Sequence, residues 1–189
     1  MVKIAIVHEG QASKSHDNWL LKELISILDL PKIFEFFGVG YKSNFFNVSA
    51  DIYQRLIPQI KEAEQFNKVF FVIDADYGVS DHKYGGSENV KREWQLVMQV
   101  LGIENISSLY VTCDPTTQEG YLESLLLATL DESKTACIQQ FLSCSEFASK
   151  ENHKAILNQI YRIAYPNAPF DLQHPFFDEL KNKLRNLVS

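Results

Sequence analysis

The sequence predicts an α/β fold: a three-layer, Rossmann-like parallel sheet of about four strands, with extra helices at the C-terminal end. Three observations carry this. Four short apolar runs rich in β-branched and aromatic residues recur up to residue 112. Segments with helical spacing of apolar residues separate them, and strands alternating with helices form right-handed parallel crossovers. From about residue 132 onward the pattern is helical only.

Each element has its own signal. Residues 2–8, VKIAIVH, read as a buried strand that Glu9-Gly10 ends. Trp19, Leu20, Leu24, Ile27 and Leu28 then recur at helical spacing over 17–28, and 33–39 read as the second strand. A helix is expected over 51–65, with Ser49 as its cap and Ile52, Leu56, Ile60 and Ala63 on one face. Pro58 inside that pattern predicts a kink or a division. Residues 68–74, KVFFVID, form the clearest strand, followed by a polar, glycine-containing loop over 75–86. Val90, Trp94, Val97, Met98 and Leu101 mark a helix over 87–101, with Gly102 as its stop. Residues 106–112 give the fourth strand. Thr116-x-x-Glu119 has capping-box spacing ahead of a helix holding Leu122, Leu125 and Leu126. Tyr165-Pro166-Asn167-Ala168-Pro169 breaks the later helical region, which a helix over 176–188 closes. The chain therefore divides into an α/β domain, 1–130, and a helical extension, 131–189, packed on the same domain.

Composition excludes several classes. Of 189 residues, 46% are hydrophobic and 22% charged, close to soluble globular averages, which rules out disorder and coiled coil. The formal charge is −6, so nucleic acid cannot be held by phosphate contacts alone and any such contact is transient or bridged by metal. Cys113, Cys137 and Cys144 are odd in number and include no C-x-x-C pair, which argues for reduced, mostly buried thiols. The N-terminus passes from Met1-Val2-Lys3 straight into an apolar run without the long core of a secretory leader. No apolar run approaches the ~20 residues that cross a bilayer. A cytoplasmic protein with no membrane contact is expected.

Ligands in open parallel sheets sit beyond the carboxyl ends of the strands. Glu9 ends the first strand; Asp74 and Asp76 end the third. Carboxylates converging in a partly dry cleft repel one another, and a hard divalent cation resolves the repulsion. Side chains alternate along a strand, so Asp74 and Asp76 are expected to point the same way. Each acid could also simply cap a turn. The loop Asp81-His82-Lys83-Tyr84-Gly85-Gly86-Ser87 could cradle a phosphate with its backbone N–H groups, Lys83 assisting, or be a plain loop. His8, next to Glu9, is expected on the opposite side of the strand. Gly38-Val39-Gly40 lacks the third glycine of a dinucleotide site.

Ile4-Ala5-Ile6-Val7-His8-Glu9-Gly10 and Val72-Ile73-Asp74-Ala75-Asp76 together resemble the two motifs of the Toprim domain. That domain occurs in topoisomerases, bacterial primases, RecR-type recombination proteins and the overcoming-lysogenization-defect nucleases. The resemblance, closest to small stand-alone Toprim-like proteins of unassigned function, implies a Mg²⁺ (or Mn²⁺) site built on Glu9, Asp74 and Asp76. It also implies making or breaking of phosphodiesters, Glu9 acting in catalysis and Gly10 lying against substrate. In the related nucleases a helical glutamate adds a metal ligand and a downstream lysine contacts the scissile phosphate; Glu123 and Lys134 correspond here. Ser13 stands where those nucleases often place an Asp, and Asp17 and Asp114 are the candidate substitutes.

The leading expectation is thus a Mg²⁺-dependent phosphoryl-transfer protein, a nuclease-type Toprim acting on nucleic acid. One alternative is a non-catalytic Toprim-like module that binds a protein or nucleic-acid partner. Another is a haloacid-dehalogenase-type phosphatase, with Asp74 as covalent nucleophile and Asp76 as general acid. That motif normally opens its fold on the first strand, whereas here a full βαβα unit precedes it.

Overall fold

A computed structural model of the chain describes residues 3–10, 15–145 and 170–189. Its centre is a four-stranded, all-parallel sheet in the order β2-β1-β3-β4. The strands are β1 (Lys3–His8), β2 (Phe34–Gly38), β3 (Phe66–Asp74) and β4 (Ser107–Thr112). Helices α1 (His16–Ile27), α2 (Asp51–Lys61) and α3 (Ser87–Leu101) connect them. After β4 come α4 (Leu122–Ala128), α5 (Glu132–Cys144) and, at the C-terminus, α6 (Asp178–Val188).

The central strands are apolar on both faces because both faces are covered. Ala5, Val7, Val69, Phe71 and Ile73 pack with α2 and α3. Ile4, Ile6, Phe70 and Val72 face the other way and pack with Leu20, Leu21 and Leu24 of α1, Leu122 and Leu125 of α4, and Leu180 and Leu184 of α6. Helix α6 therefore completes one of the two helical layers. Chain order reverses between β1 and β3: the chain moves from β1 outward to β2, returns to β3, then continues to β4. The crevice above these two strands is where ligands bind in such sheets.

Several local expectations are corrected. Ala50, not Ser49, is the N-cap of α2, without a side-chain bond, because Asn47 has already turned the chain by accepting the Ser49 N–H at 3.1 Å. Helix α2 runs undivided through Pro58 and stops at Lys61, and Glu64 takes a left-handed φ of 47°. Thr116 and Glu119 do not cap α4, which starts three residues later; Ser124 Oγ accepts the Tyr121 N–H at 3.3 Å instead. Cys113 is buried, but Cys137 and Cys144 lie exposed on α5. The break at 165–169 lies outside the described residues. Among the described residues no helix is long and apolar enough to cross a membrane.

Candidate functional site

Glu9 leaves β1 beside the end of β3, with His8 in register with Val72. A polar cavity of about 190 Å³ opens there, lined by Glu9, Asp17, Asp74 and Glu123 together with Gly10 and Gly40. Four carboxylates therefore share one small space at the switch point. They come from the end of β1, the first turn of α1, the end of β3 and the first turn of α4.

Asp74 is 6% exposed and held from two directions. Its Oδ1 accepts the Thr112 hydroxyl from the neighbouring strand and the Leu122 N–H at 3.1 Å. The second bond gives α4 a cap at its first turn, where an N–H has no partner within the helix. Glu123, also 6% exposed, follows directly in that turn. Burial of two carboxylates at one helix start is favoured by the helix dipole and opposed by their mutual repulsion.

His8 is fully buried on the face of β1 that meets α1, and supports Glu9 from behind. Its Nδ1 lies 2.8 Å from the Glu9 carbonyl and 3.1 Å from Ser15 Oγ. A carbonyl only accepts, so Nδ1 carries the proton. Burial pushes the imidazole below its ordinary 6.5, so the ring is neutral at pH 7. Ser15 in turn accepts the Asn18 N–H at 3.2 Å and caps α1. One hydrogen-bonded set thus ties the end of β1 to the start of α1, both of which face the cavity. Gly10 closes the turn with φ 79° and exchanges backbone bonds with Gly40 at 3.1 and 3.0 Å.

Asp76 does not line this cavity. Its φ of 54° breaks the extended backbone, so the alternation that would align it with Asp74 no longer applies. The carboxylate meets Lys42 Nζ at 3.1 Å on the side of the α2–α3 layer. Lys134 does not line it either: in the first turn of α5 it pairs with the N-cap Asp131 at 2.7 Å. Lys83 is exposed and lies 4.7 Å from the ring centre of its neighbour Tyr84, which holds its ammonium above the ordinary range. The phosphate cradle expected in that loop is spent internally. Asp81 Oδ1 accepts the N–H groups of Lys83 and Tyr84, and those of Gly85, Gly86 and Ser87 donate to Asp81, Ala75 and Gln118 carbonyls. Of the two substitutes for the missing acid, Asp17 lines the cavity, while Asp114 holds its own turn by accepting from Thr116 and Thr117.

A second cavity, about 560 Å³, adjoins the first across Gly10 and Gly40; Asn44, Asn47, Ser49, Asp51 and Arg55 form its polar wall. Among the described residues no group of three or more His, Cys, Asp or Glu side chains is set to hold a metal ion as it stands. The carboxylates stand around the walls of the smaller cavity. Their oxygens are the donor type that hard cations take.

Sequence reasoning missed Lys42 and Thr112. A lysine after a strand and a threonine ending one read as ordinary surface residues. Only their meeting with segments more than thirty residues away makes them part of the site.

No family model, no curated protein and no solved structure matches this chain. The Toprim resemblance accordingly rests on the two motifs and their strand context.

Proposed function

We propose that the protein is a divalent-metal-dependent phosphoryl-transfer protein of Toprim type that acts on nucleic acid phosphodiesters. The observation that carries this reading is the carboxylate cavity at the switch point of the parallel sheet, walled by Glu9, Asp17, Asp74 and Glu123. All-oxygen, anionic donors suit Mg²⁺ or Mn²⁺, and the cavity has room for the several waters that Mg²⁺ retains. Glu9, Asp74 and Glu123 would hold the ion. When bound, it would polarise a phosphoryl oxygen and lower the pKa of a water.

The chain's own groups do the positioning. Thr112 and the Leu122 N–H fix one oxygen of Asp74, so that carboxylate cannot swing away. His8 holds the Glu9 carbonyl and keeps that turn shut, so that the Glu9 side chain would either complete the metal shell or take and return a proton on the cavity side. The adjoining cavity offers amides, a hydroxyl and the Arg55 guanidinium to the sugar–phosphate beside the reacting bond, with the Asp51 carboxylate in the same wall opposing part of that positive charge. With a net charge of −6, approach of a polyanion would depend on the cation.

The spread of the carboxylates also favours a second reading, a module that binds metal and partner without turnover. The phosphatase reading loses support, because Asp76 would have to stand beside Asp74 to act as its general acid and is instead paired with Lys42. Calorimetric titration of Mn²⁺ and Mg²⁺ into the wild type, Glu9→Gln, Asp74→Asn and Glu123→Gln, with nicked plasmid and single-stranded RNA as parallel substrates, tests the proposal. Metal binding that each variant weakens, together with metal-dependent cleavage, supports the nuclease. Binding without cleavage selects the binding module, and no binding at millimolar metal with nucleic acid present rejects both.

A further inference from the structure

Lys42 is a buried ammonium whose partners lie in the loop after β3. It opens a 3₁₀ turn following β2, and the residue is only 7% exposed. Its Nζ donates to the Ala75 carbonyl at 2.8 Å and the Tyr84 carbonyl at 3.1 Å, pairs with Asp76 Oδ2 at 3.1 Å, and lies 4.0 Å from Asp81 Oδ2. An ammonium has three protons, and three close acceptors use them. A lysine buried in this way costs desolvation that a packed apolar side chain would not.

The contacts lead to the carboxylate cavity by two short routes. Ala75 directly follows Asp74. Asp76, left-handed at φ 54°, exchanges backbone bonds with Gly120, its N–H donating at 2.5 Å and its carbonyl accepting at 3.0 Å. Gly120 precedes Tyr121, the N-cap of α4, and Glu123 lies in the turn that follows. The stack of Phe46 on Tyr84, 4.3 Å between ring centres, closes the same corner from outside. The Lys42 side chain thereby joins the 3₁₀ turn to the loop over 75–86, and the Asp76–Gly120 backbone bridge joins that loop to the start of α4.

We propose that Lys42 is the positioning residue of this centre and that Asp76 is its anchor, so that the second acid of Asp-x-Asp sets the place of Glu123 and does not coordinate the cation. The inference rests on the reading of the cavity as a divalent-cation site. Loss of Lys42 leaves Asp76 without its counter-charge and two carbonyls without their donor. The Asp76–Gly120 bridge then loosens, and the turn that carries Glu123 is no longer fixed at the wall of the cavity it shares with Asp74.

Two measurements on the full chain test this: Mn²⁺ affinity by calorimetry and amide hydrogen exchange of residues 120–124. Lys42→Met is expected to weaken Mn²⁺ by about 10- to 100-fold, the usual effect of removing a group that orients ligands. It should also speed exchange at 120–124 at least ~10-fold while β1 amides keep wild-type rates. Asp76→Asn, which retains an oxygen for Lys42 and guards against a misfolded Lys42 variant, should weaken Mn²⁺ less than ~10-fold, far less than Asp74→Asn. The double variant should bind no worse than Lys42→Met alone, since both act through one contact. Unchanged exchange at 120–124 in Lys42→Met overturns the proposal, and so does Asp76→Asn losing Mn²⁺ as completely as Asp74→Asn. A wild type that binds no Mn²⁺ instead rejects the metal reading of the cavity, and the exchange rates still decide whether Lys42 positions α4.

Discussion

Asp74 and Leu122 are joined by a hydrogen bond of 3.1 Å from the Leu122 N–H to the Asp74 carboxylate, across 48 positions of sequence. That bond makes one carboxylate serve two purposes, closing the start of α4 and forming a wall of the candidate centre. The two purposes can be separated because the first needs an oxygen acceptor and the second needs negative charge.

Asp74→Ala should therefore destabilise the protein by about 2–4 kcal/mol, since a buried N–H and a buried hydroxyl lose their acceptor. Asp74→Asn keeps an acceptor and should stay within ~1.5 kcal/mol of wild type while losing Mn²⁺ affinity. Urea unfolding alongside calorimetry reads both quantities. Equal destabilisation by the two substitutions would mean that charge, not an acceptor, holds α4.

Gly120 and Gly86 offer a matched pair of substitutions. Both have positive φ, 95° and 87°. A Cβ on Gly120 would come within 2.9 Å of Ser124 Cβ and 3.2 Å of the Tyr77 hydroxyl, whereas one on Gly86 meets nothing within 4 Å. Gly86→Ala should cost about 1–3 kcal/mol, because φ 87° with ψ 143° is a backbone conformation that residues with a Cβ rarely adopt. Gly120→Ala should cost more than Gly86→Ala, by about 1 kcal/mol or more, because steric crowding adds to the backbone strain, and should weaken Mn²⁺ by displacing α4. Thermal melts of the two variants give the comparison.

The buried His8 predicts a pH dependence with a definite sign. Burial lowers its folded-state pKa below the ordinary 6.5, so the unfolded chain takes up the proton first as pH falls. The stability that comes from burying a neutral ring is complete above pH 6.5 and is lost progressively as pH drops from there toward the folded-state value. Tm recorded from pH 8 to pH 5 should fall for the wild type, and His8→Gln should show a shallower fall over the same range. Parallel curves would assign the loss to other groups.

Tyr53 donates its hydroxyl to the Phe45 carbonyl at 2.6 Å inside the α2 layer. Tyr53→Phe leaves that buried carbonyl unpaired and should cost about 1–3 kcal/mol, read as an equal shift in urea and thermal unfolding. Metal affinity should change far less than in Lys42→Met, since Tyr53 touches the 3₁₀ turn at Phe45 and donates to none of Lys42's acceptors.

Lys134 gives the opposite kind of test. Its pairing with Asp131 is local to the first turn of α5, and Lys134 is not among the residues that line the cavity. Lys134→Ala should leave Mn²⁺ affinity and any cleavage rate at wild-type values. A cleavage defect with unchanged metal binding would return Lys134 to the substrate contact that the Toprim resemblance implies.

The four strands, the connecting helices and the glycine stop at 102 were legible in the sequence because each depends on a local period or a local φ. Glu9 and Asp74 were legible as well, since a carboxylate that ends an apolar run must lie at the carboxyl edge of a parallel sheet. The direction of Asp76 was not. Alternation predicts direction only while the backbone stays extended, and a left-handed residue at position 76 turns the side chain toward Lys42. Nor could local pattern show that Lys42 is buried, that Glu123 lines the same cavity as Asp74, or that Thr112 and the Leu122 N–H hold the Asp74 carboxylate. Those outcomes come from segments thirty to fifty residues apart meeting at one sheet edge, where the depth of burial and the available partner decide what each charged group does.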